Sequence, residues 1–408
     1  MTSITSSPHL GTSSKELEKA QHLGKKVTWI SLLIFDSLNT VSQREVLRHM
    51  GKDGYETCLF GIRSRRTFPS DEHLQLILAP IRTVPVISSV AAIIVFSIYL
   101  PLFILVKKPN YIIASPNSSF LVFLLGLILS PMRFKTILDI RTTLNAPRNL
   151  REYLNEFAFR LSVTLAKKHF DGMTTLTEGM RNEICSRFDV NRDFVGVWTS
   201  GVSSELFRPE IYNEEKIRKE LSLENKFVVF YHGSMTLNRG IVETVRAVAG
   251  LKEKHKDLTL FLLGDTPFLG VFKRLAQEES VVDRVLMHEA VAYDEVPKYI
   301  AACNVGIVPL PDLPVWRNQS PLKLLEYMAM KKVVIATDIP ANREVIGKSK
   351  CGIYISSADP EEIADAITLA YQYKNKLDEW GAAGRAIVVE RYAWEKIAQE
   401  LEGYLLTL

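Results

Sequence analysis

Short apolar runs, each closed by a turn and followed by apolar residues at helical spacing, limit the folds open to this chain more than any other feature. Phe227-Val228-Val229-Phe230-Tyr231 is one such run. His232-Gly233-Ser234 ends it, and Asn238-Arg239-Gly240 opens a helical pattern carried by Ile241, Val245 and Val248. Val333-Val334-Ile335-Ala336 is a second short buried strand. In the first half, Val27 to Phe35, Tyr111 to Ala114 and Thr136 to Ile140 read as strands, with helices expected at about 86–105 and 118–130. Strands that alternate with helices in this way pair in parallel α/β sheets. A chain of 408 residues exceeds one ordinary core, so two domains are expected.

Strand, glycine turn, cation and helix start, in that order, form a cradle for an anion. A second stretch points to related chemistry. A loop with Pro311 and Pro314 runs into Ser320-Pro321-Leu322-Lys323-Leu324-Leu325-Glu326-Tyr327-Met328-Ala329, a helix with one acid in an otherwise apolar turn. A carboxylate that enters a helix beside a phosphate-sized loop is placed to grip a ribose, while the unpaired N–H groups of the helix start hold a diphosphate. On spacing alone, an ordinary surface helix with a solvated Glu326 fits equally well.

The segment resembles the nucleotide-sugar signature of glycosyltransferase family 4, a GT-B family whose signature usually has two Glu separated by seven residues. Glu326 falls on the second Glu, which in the family binds the nucleotide ribose. Asn318 stands where the first Glu, which works near the donor sugar, would fall. A subset of the family with this Ser-Pro-Leu-Lys loop also lacks that acid, so the departure reads as a variant. Ser320, Pro321 and Leu322 complete the donor loop in this resemblance. Arg239 takes the place of the basic residue, more commonly Lys, that contacts the donor diphosphate; Arg keeps the charge and adds a bidentate fork. Ser234 follows Gly233 where the family often has another cation, and Lys323 is the candidate to replace it.

Further matches follow in order. Leu258 to Leu263 with Gly264-Asp265 resembles the family's second strand and its glycine turn. Val285 to His288 with Ala290 to Tyr293, including Val291, resembles the strand and loop that frame the base, and Tyr299 to Pro309 the helix and strand before the signature. The resemblance is clear over about residues 171–395. It implies two Rossmann-like domains facing across a cleft: a tail at 1–24, an acceptor-binding domain at 25–204, a nucleotide-sugar domain at 205–388, and a last helix, within 389–408, that crosses back to the first domain. Trp198 to Val202 with Phe207-Arg208-Pro209 resembles the hinge, with Ser-Gly-Val for the usual Asn-Gly-Val.

Asp139 and Arg141 end a strand, where open α/β sheets place their chemistry, and resemble an Asp-x-Arg-Asp segment in which Thr142 replaces the second acid. Both are expected at the cleft near acceptor and donor sugar; Asp139 also suits a capping role. Ser37 and Asn39, in a loop without the family's glycines, are candidate donors to phosphate, and a simple strand-to-helix turn fits that loop as well. The implied reaction is retaining transfer from a nucleoside-diphosphate sugar by front-face displacement, with Arg239 and Lys323 neutralising the departing diphosphate. No Asp-x-Asp pair and no His/Asp cluster has metal spacing, so no metal cofactor is expected. Cys58, Cys185, Cys303 and Cys351 match no zinc or redox spacing and read as reduced core residues of a cytosol-facing protein.

Thr83 to Val106 and Pro109 to Met132 each hold 24 residues without a charge. The first is long enough to span a bilayer. Pro85, Pro101 and three serines weigh against that, and Pro116-Asn117-Ser118 breaks the second. Helices apolar nearly all round exceed what a core requires, and the surplus marks a membrane or protein contact. Arg63, Arg65, Arg66, Arg82, Lys107, Lys108, Arg133 and Lys135 ring the segment. Up to residue 200 the chain has 24 Lys and Arg against 16 Asp and Glu; beyond it, 26 against 30. Peripheral or monotopic attachment to the cytoplasmic face of a membrane, through residues 83–132, fits this division better than a spanning helix or a protein contact. A lipid-linked acceptor is then expected. Nucleic acid is not, because the cations alternate with apolar runs and not with stacking aromatics. A transferase with a soluble acceptor and a non-catalytic GT-B scaffold remain as other readings, the latter favoured by Asn318 and Ser234.

Overall fold

The computed structural model describes residues 24–34, 40–62, 71–79, 85–143 and 149–408. The expected tail before residue 24, the Ser37 and Asn39 donors and four of the rim cations (Arg63, Arg65, Arg66 and Arg82) lie outside the described residues. The chain forms two compact units. The first takes the described residues up to Ile140, Leu150–Thr174 and Leu401–Leu408; the second takes Arg141–Thr143, Asn149 and Thr175–Glu400.

The first unit contains β1 (Lys26–Ile34), α1 (Val41–Lys52), β2 (Glu56–Ile62), β3 (Gln75–Ala79), α2 (Pro85–Lys107), β4 (Tyr111–Ala114), α3 (Ser119–Ile128), β5 (Lys135–Ile140), α4 (Leu150–His169) and β6 (Gly172–Thr175). Its strands lie in the order β3-β2-β1-β4-β5-β6, and β1 pairs in parallel with both β2 and β4. The second begins with α5 (Glu178–Phe188), β7 (Val195–Val197), α6 (Glu214–Glu220), β8 (Phe227–His232), α7 (Ile241–Gly250), β9 (Leu258–Leu263), α8 (Leu269–Glu278) and β10 (Val285–His288). It continues with α9 (Val296–Ala301), β11 (Val305–Val308), α10 (Pro314–Arg317), α11 (Leu322–Ala329), β12 (Val333–Thr337), α12 (Pro340–Ile346), β13 (Gly352–Ile355), α13 (Pro360–Gln372), α14 (Leu377–Arg391) and α15 (Trp394–Thr407). Its sheet has the order β10-β9-β8-β11-β12-β13, all parallel. The direction of winding reverses between β8 and β11. Ligands of open α/β sheets bind in the crevice beyond the carboxyl ends of the strands at such a reversal.

The strands and helices expected between 86 and 140 stand within a few residues of their expected limits. The last helix differs. The sequence pattern runs one helix from about 389, whereas α14 ends at Arg391 and α15 starts at Trp394. Ala393 is taken out of the helix by a parallel bridge to Val202, whose N–H donates to Tyr392 O at 2.8 Å. The end of α15 belongs to the first unit, where Glu402 accepts a hydrogen bond from Tyr55 Oη at 2.8 Å and Tyr404 Oη one from Met173 N at 3.1 Å.

Helices α2, α3 and α4 pack side by side. Each buries an apolar stripe: Phe96, Leu100 and Phe103 on α2, Leu121, Val122 and Leu125 on α3, Phe159 and Val163 on α4. Each also leaves large apolar side chains outside, among them Ile98 (70% exposed), Ile128 (68%) and Phe157 (66%). The α4 stripe, at Leu150, Tyr153, Leu154, Phe157 and Leu161, was not read from the sequence, although its spacing of three and four residues is helical.

Tyr327 on α11 is fully buried and fastens that helix to β8: its Oη accepts from His232 N at 3.2 Å and donates to Phe230 O at 3.0 Å. Gly306 on β11 makes room for it, since a Cβ there would lie 2.3 Å from the Tyr327 ring. We expect Gly306→Ala to destabilise the fold by about 1–3 kcal/mol in urea titrations, the usual penalty for overpacking. Gly250→Ala, with no atom within 4 Å of its added Cβ, serves as the neutral control. Equal stability of the two variants would contradict this packing.

Candidate functional site

The crevice at the β8/β11 reversal is assembled from loops that carry glycines and cations. Gly233 follows β8 with a φ of +103°, and Gly264 follows β9 with a φ of +155°. A Cβ on Gly264 would come within 1.9 Å of Gly233 O, so the two turns fit together only without side chains. Gly233 N donates to Leu263 O at 2.9 Å, and Met235 N to Asp265 O at 3.1 Å. The Ser234 carbonyl accepts from Tyr231 Oη at 2.8 Å. The Asp265 side chain is exposed, while Val291 packs partly buried against the core beneath β8.

Two cations meet at Tyr231. Lys323 Nζ lies 4.0 Å from the centre of its ring and beside Gly233, where an added Cβ would approach it to 3.7 Å. The stem of Lys323 is partly exposed, but its Nζ is enclosed and has no hydrogen-bond partner among the described residues. Burial, and then the charge of Arg239, pull this ammonium well below the usual lysine range, while Glu326 pulls weakly the other way. Arg239 places its guanidinium 4.6 Å from the centre of the Trp316 ring, and its enclosed Nε is likewise unpartnered among the described residues. Burial pushes the Tyr231 phenol up to about 12 against the opposing pull of Arg239.

Helix α11 starts at Leu322 behind Pro321, with no side chain capping its first N–H groups. Lys323 is in its first turn, so the helix dipole, the backbone donors and the enclosed ammonium favour an anion at the same place. One turn on, Glu326 is buried, and its Oε2 lies 3.2 Å from His232 Nε2.

The signature loop ahead of α11 is tied down at three successive positions. Thr177 Oγ1 donates to Asn318 O at 2.9 Å, Gln319 Nε2 to Thr142 Oγ1 at 3.2 Å, and Thr199 Oγ1 to Ser320 Oγ at 3.1 Å. Asn318 Nδ2 donates to Glu183 Oε2 on α5 at 3.1 Å.

Gly233, Ser234, Gly264, Arg239, Lys323 and Glu326 gather around one crevice, and Asn318, Ser320, Pro321 and Leu322 form the loop into it. Asp139 and Arg141 make contacts of their own. Asp139 is fully buried on β5 and accepts from Thr174 Oγ1 at 2.7 Å. Arg141 stacks 3.7 Å over the Trp198 ring and donates to Trp198 O at 3.0 Å. Sequence reasoning missed the aromatic supports Tyr231 and Trp316, because contact between a ring and a distant cation leaves no local pattern.

Residues 213–387 match the family described as glycosyl transferases group 1. A GDP-mannose-dependent alpha-(1-6)-phosphatidylinositol monomannoside mannosyltransferase of Mycobacterium tuberculosis is 25% identical over 207 residues, 50% of this chain and 54% of that protein. The chain thus aligns with about half the length of this curated relative. Among solved structures, Anabaena HepE in complex with UDP and glucose superposes with a TM-score of 0.72 at 14% identity, over 94% of this chain and 100% of HepE. WaaG, a glycosyltransferase involved in lipopolysaccharide biosynthesis, gives 0.69 at 13% identity, over 93% and 99%. These likenesses show the fold, two Rossmann-like parallel sheets of the GT-B kind.

An enclosed lysine whose proton affinity falls on folding sets the sign of a pH effect. Between its lowered folded value and its ordinary unfolded value, the unfolded chain binds more protons, so stability rises with pH. We expect the unliganded wild type to gain thermal stability relative to Lys323→Met as pH rises from 7.5 to 10, measured by calorimetric melting. A difference that stays constant with pH would contradict an enclosed, unpartnered ammonium.

Proposed function

We propose, from the match of residues 213–387 to the family described as glycosyl transferases group 1, that this chain transfers a sugar, with retention of configuration, from a nucleoside-diphosphate sugar to a lipid-linked acceptor. The observation that carries the reading is the enclosed, unpartnered Nζ of Lys323 at the start of α11, with Arg239 beside it. A buried cation without a partner is costly, and an incoming diphosphate supplies the missing charge.

In this reading Arg239, Lys323 and the first N–H groups of α11 hold the diphosphate, and Glu326, next to His232, accepts hydroxyl hydrogen bonds from the ribose. The bond from the sugar C1 to the diphosphate oxygen breaks as the acceptor oxygen bonds to C1 on the same face. The acceptor proton passes to the departing phosphate oxygen, whose growing charge the two cations stabilise. Because protein groups meet that charge, we propose that the reaction requires no metal.

The acceptor half rests on α2, α3 and α4. Their exposed apolar residues lie near exposed Lys107, Lys108, Arg133, Arg151, Lys167 and Lys168. An anionic lipid surface suits both the apolar side chains and the cations. The printed name of the mycobacterial relative, which acts on a phosphatidylinositol mannoside, supports a lipid acceptor. Among the described residues no helix is long and apolar enough to cross a membrane. The attachment we propose, from the division of charge along the chain, is to the cytoplasmic face.

Calorimetry with UDP and GDP in the absence of divalent metal tests the donor half. We expect one of the two to bind wild type, and Glu326→Ala to weaken that binding at least about tenfold, as for loss of a hydrogen bond to a charged group. If neither binds, with or without metal, the transferase reading fails and the scaffold reading replaces it. For the membrane half, Leu154→Asp with Phe157→Asp, both at exposed positions, should abolish co-sedimentation with phosphatidylglycerol vesicles and leave nucleotide binding intact. Unchanged sedimentation would refute attachment through α4.

A further inference from the structure

We infer that Glu183, on α5, reads the sugar of the donor, supplying from another helix the carboxylate that position 318 lacks. The inference rests on the donor site proposed above. The sugar of a nucleoside-diphosphate sugar is bonded to its outer phosphate. Groups that touch the sugar must therefore stand close to the cations that hold the diphosphate. The loop from Trp316 to Lys323 has such a cation at each end: Arg239 rests on the Trp316 ring, and Lys323 is itself the other. The polar side chains between them are Arg317, Asn318, Gln319 and Ser320. Arg317 turns away to Asp312. Ser320 is taken up by Thr199, and Gln319 by Thr142. Asn318 leads to Glu183.

Glu183 is half-buried, and its Oε2 accepts from Asn318 Nδ2 at 3.1 Å and from Thr143 Oγ1 at 3.4 Å. Both donors are neutral, and no cation pairs with this carboxylate among the described residues. Oε1 has no hydrogen-bond partner among the described residues. A carboxylate with one oxygen unused is an acceptor for hydroxyl donors, which a sugar offers in adjacent pairs. The helix is built to approach here. Gly179, one turn before Glu183 on the same face of α5, touches Asn318 so closely that a Cβ would fall 2.3 Å from Asn318 Oδ1. Asn at 318 fits this arrangement because its amide can donate to Glu183, whereas a Glu at 318 would set two carboxylates against each other. In the inferred arrangement the acid that faces the sugar stands on the helix and not on the loop.

The test compares UDP and GDP with UDP-glucose and GDP-mannose by calorimetry on wild type, Glu183→Gln and the double variant Glu183→Gln with Asn318→Glu. We expect Glu183→Gln to bind the nucleoside diphosphate as wild type does. The same variant should bind the corresponding sugar nucleotide at least about tenfold more weakly, and the transposed carboxylate of the double variant should restore most of the loss. A purely structural Glu183 would weaken nucleotide and sugar nucleotide alike, with no rescue. That result, or unchanged binding of both ligands, overturns the inference while leaving the donor site in place. Wild type that binds no nucleotide at all removes the donor-site reading and this inference with it.

Discussion

An ammonium group enclosed beside two glycine turns, with no hydrogen-bond partner among the described residues, is the constraint around which the second unit is arranged. Removing such a charge from water costs several kcal/mol unless a counter-charge or hydrogen bonds replace the solvent. Near Lys323, little does so. The face of Tyr231 offers a modest cation–π attraction, Arg239 adds repulsion, and the Glu326 carboxylate sits close to His232. Gly233 brings no side chain up to Nζ, and Gly264 lets the Gly233 turn pack close. The large apolar clusters around β8 to β13 supply the stability against which this cost is set. The cost kept at Lys323 is then available to favour an anion.

Much of this was legible in sequence, for a physical reason. A strand end, a glycine, a cation and a helix start fall in fixed order along the chain, so Gly233 and Arg239 stand out from local pattern, while Lys323 and Glu326 are named through the resemblance of their segment to the family signature. What was not legible depends on contacts between distant segments. Tyr231 and Lys323 are brought together because β11, the strand before α11, pairs with β8, and Glu183 meets Asn318 across 135 positions. Asp139 and Arg141 looked reactive because they end a strand, yet one is sealed beside Thr174 and the other stacked on Trp198. The break between α14 and α15 was hidden for the same reason, since Val202 sets it from almost two hundred residues away.

The helices of the first unit carry the other departure from an ordinary α/β core. Such helices normally turn one apolar stripe inward and a polar face to water. On α2 and α3 the outer face is as apolar as the inner, which the uncharged runs had indicated. On α4 the outer stripe coexists with Arg151, Lys167 and Lys168, so charge and apolar surface share one helix. Helix α4 escaped notice because attention to uncharged stretches passes over an amphipathic helix whose apolar side faces out.

A crystal structure of the protein with its bound nucleoside diphosphate tests the central claim most directly. The account predicts phosphate oxygens within hydrogen-bond distance of Lys323 Nζ and of the first N–H groups of α11, with Arg239 on the same diphosphate. A nucleotide bound elsewhere, with Lys323 Nζ still enclosed and unpartnered, would contradict it.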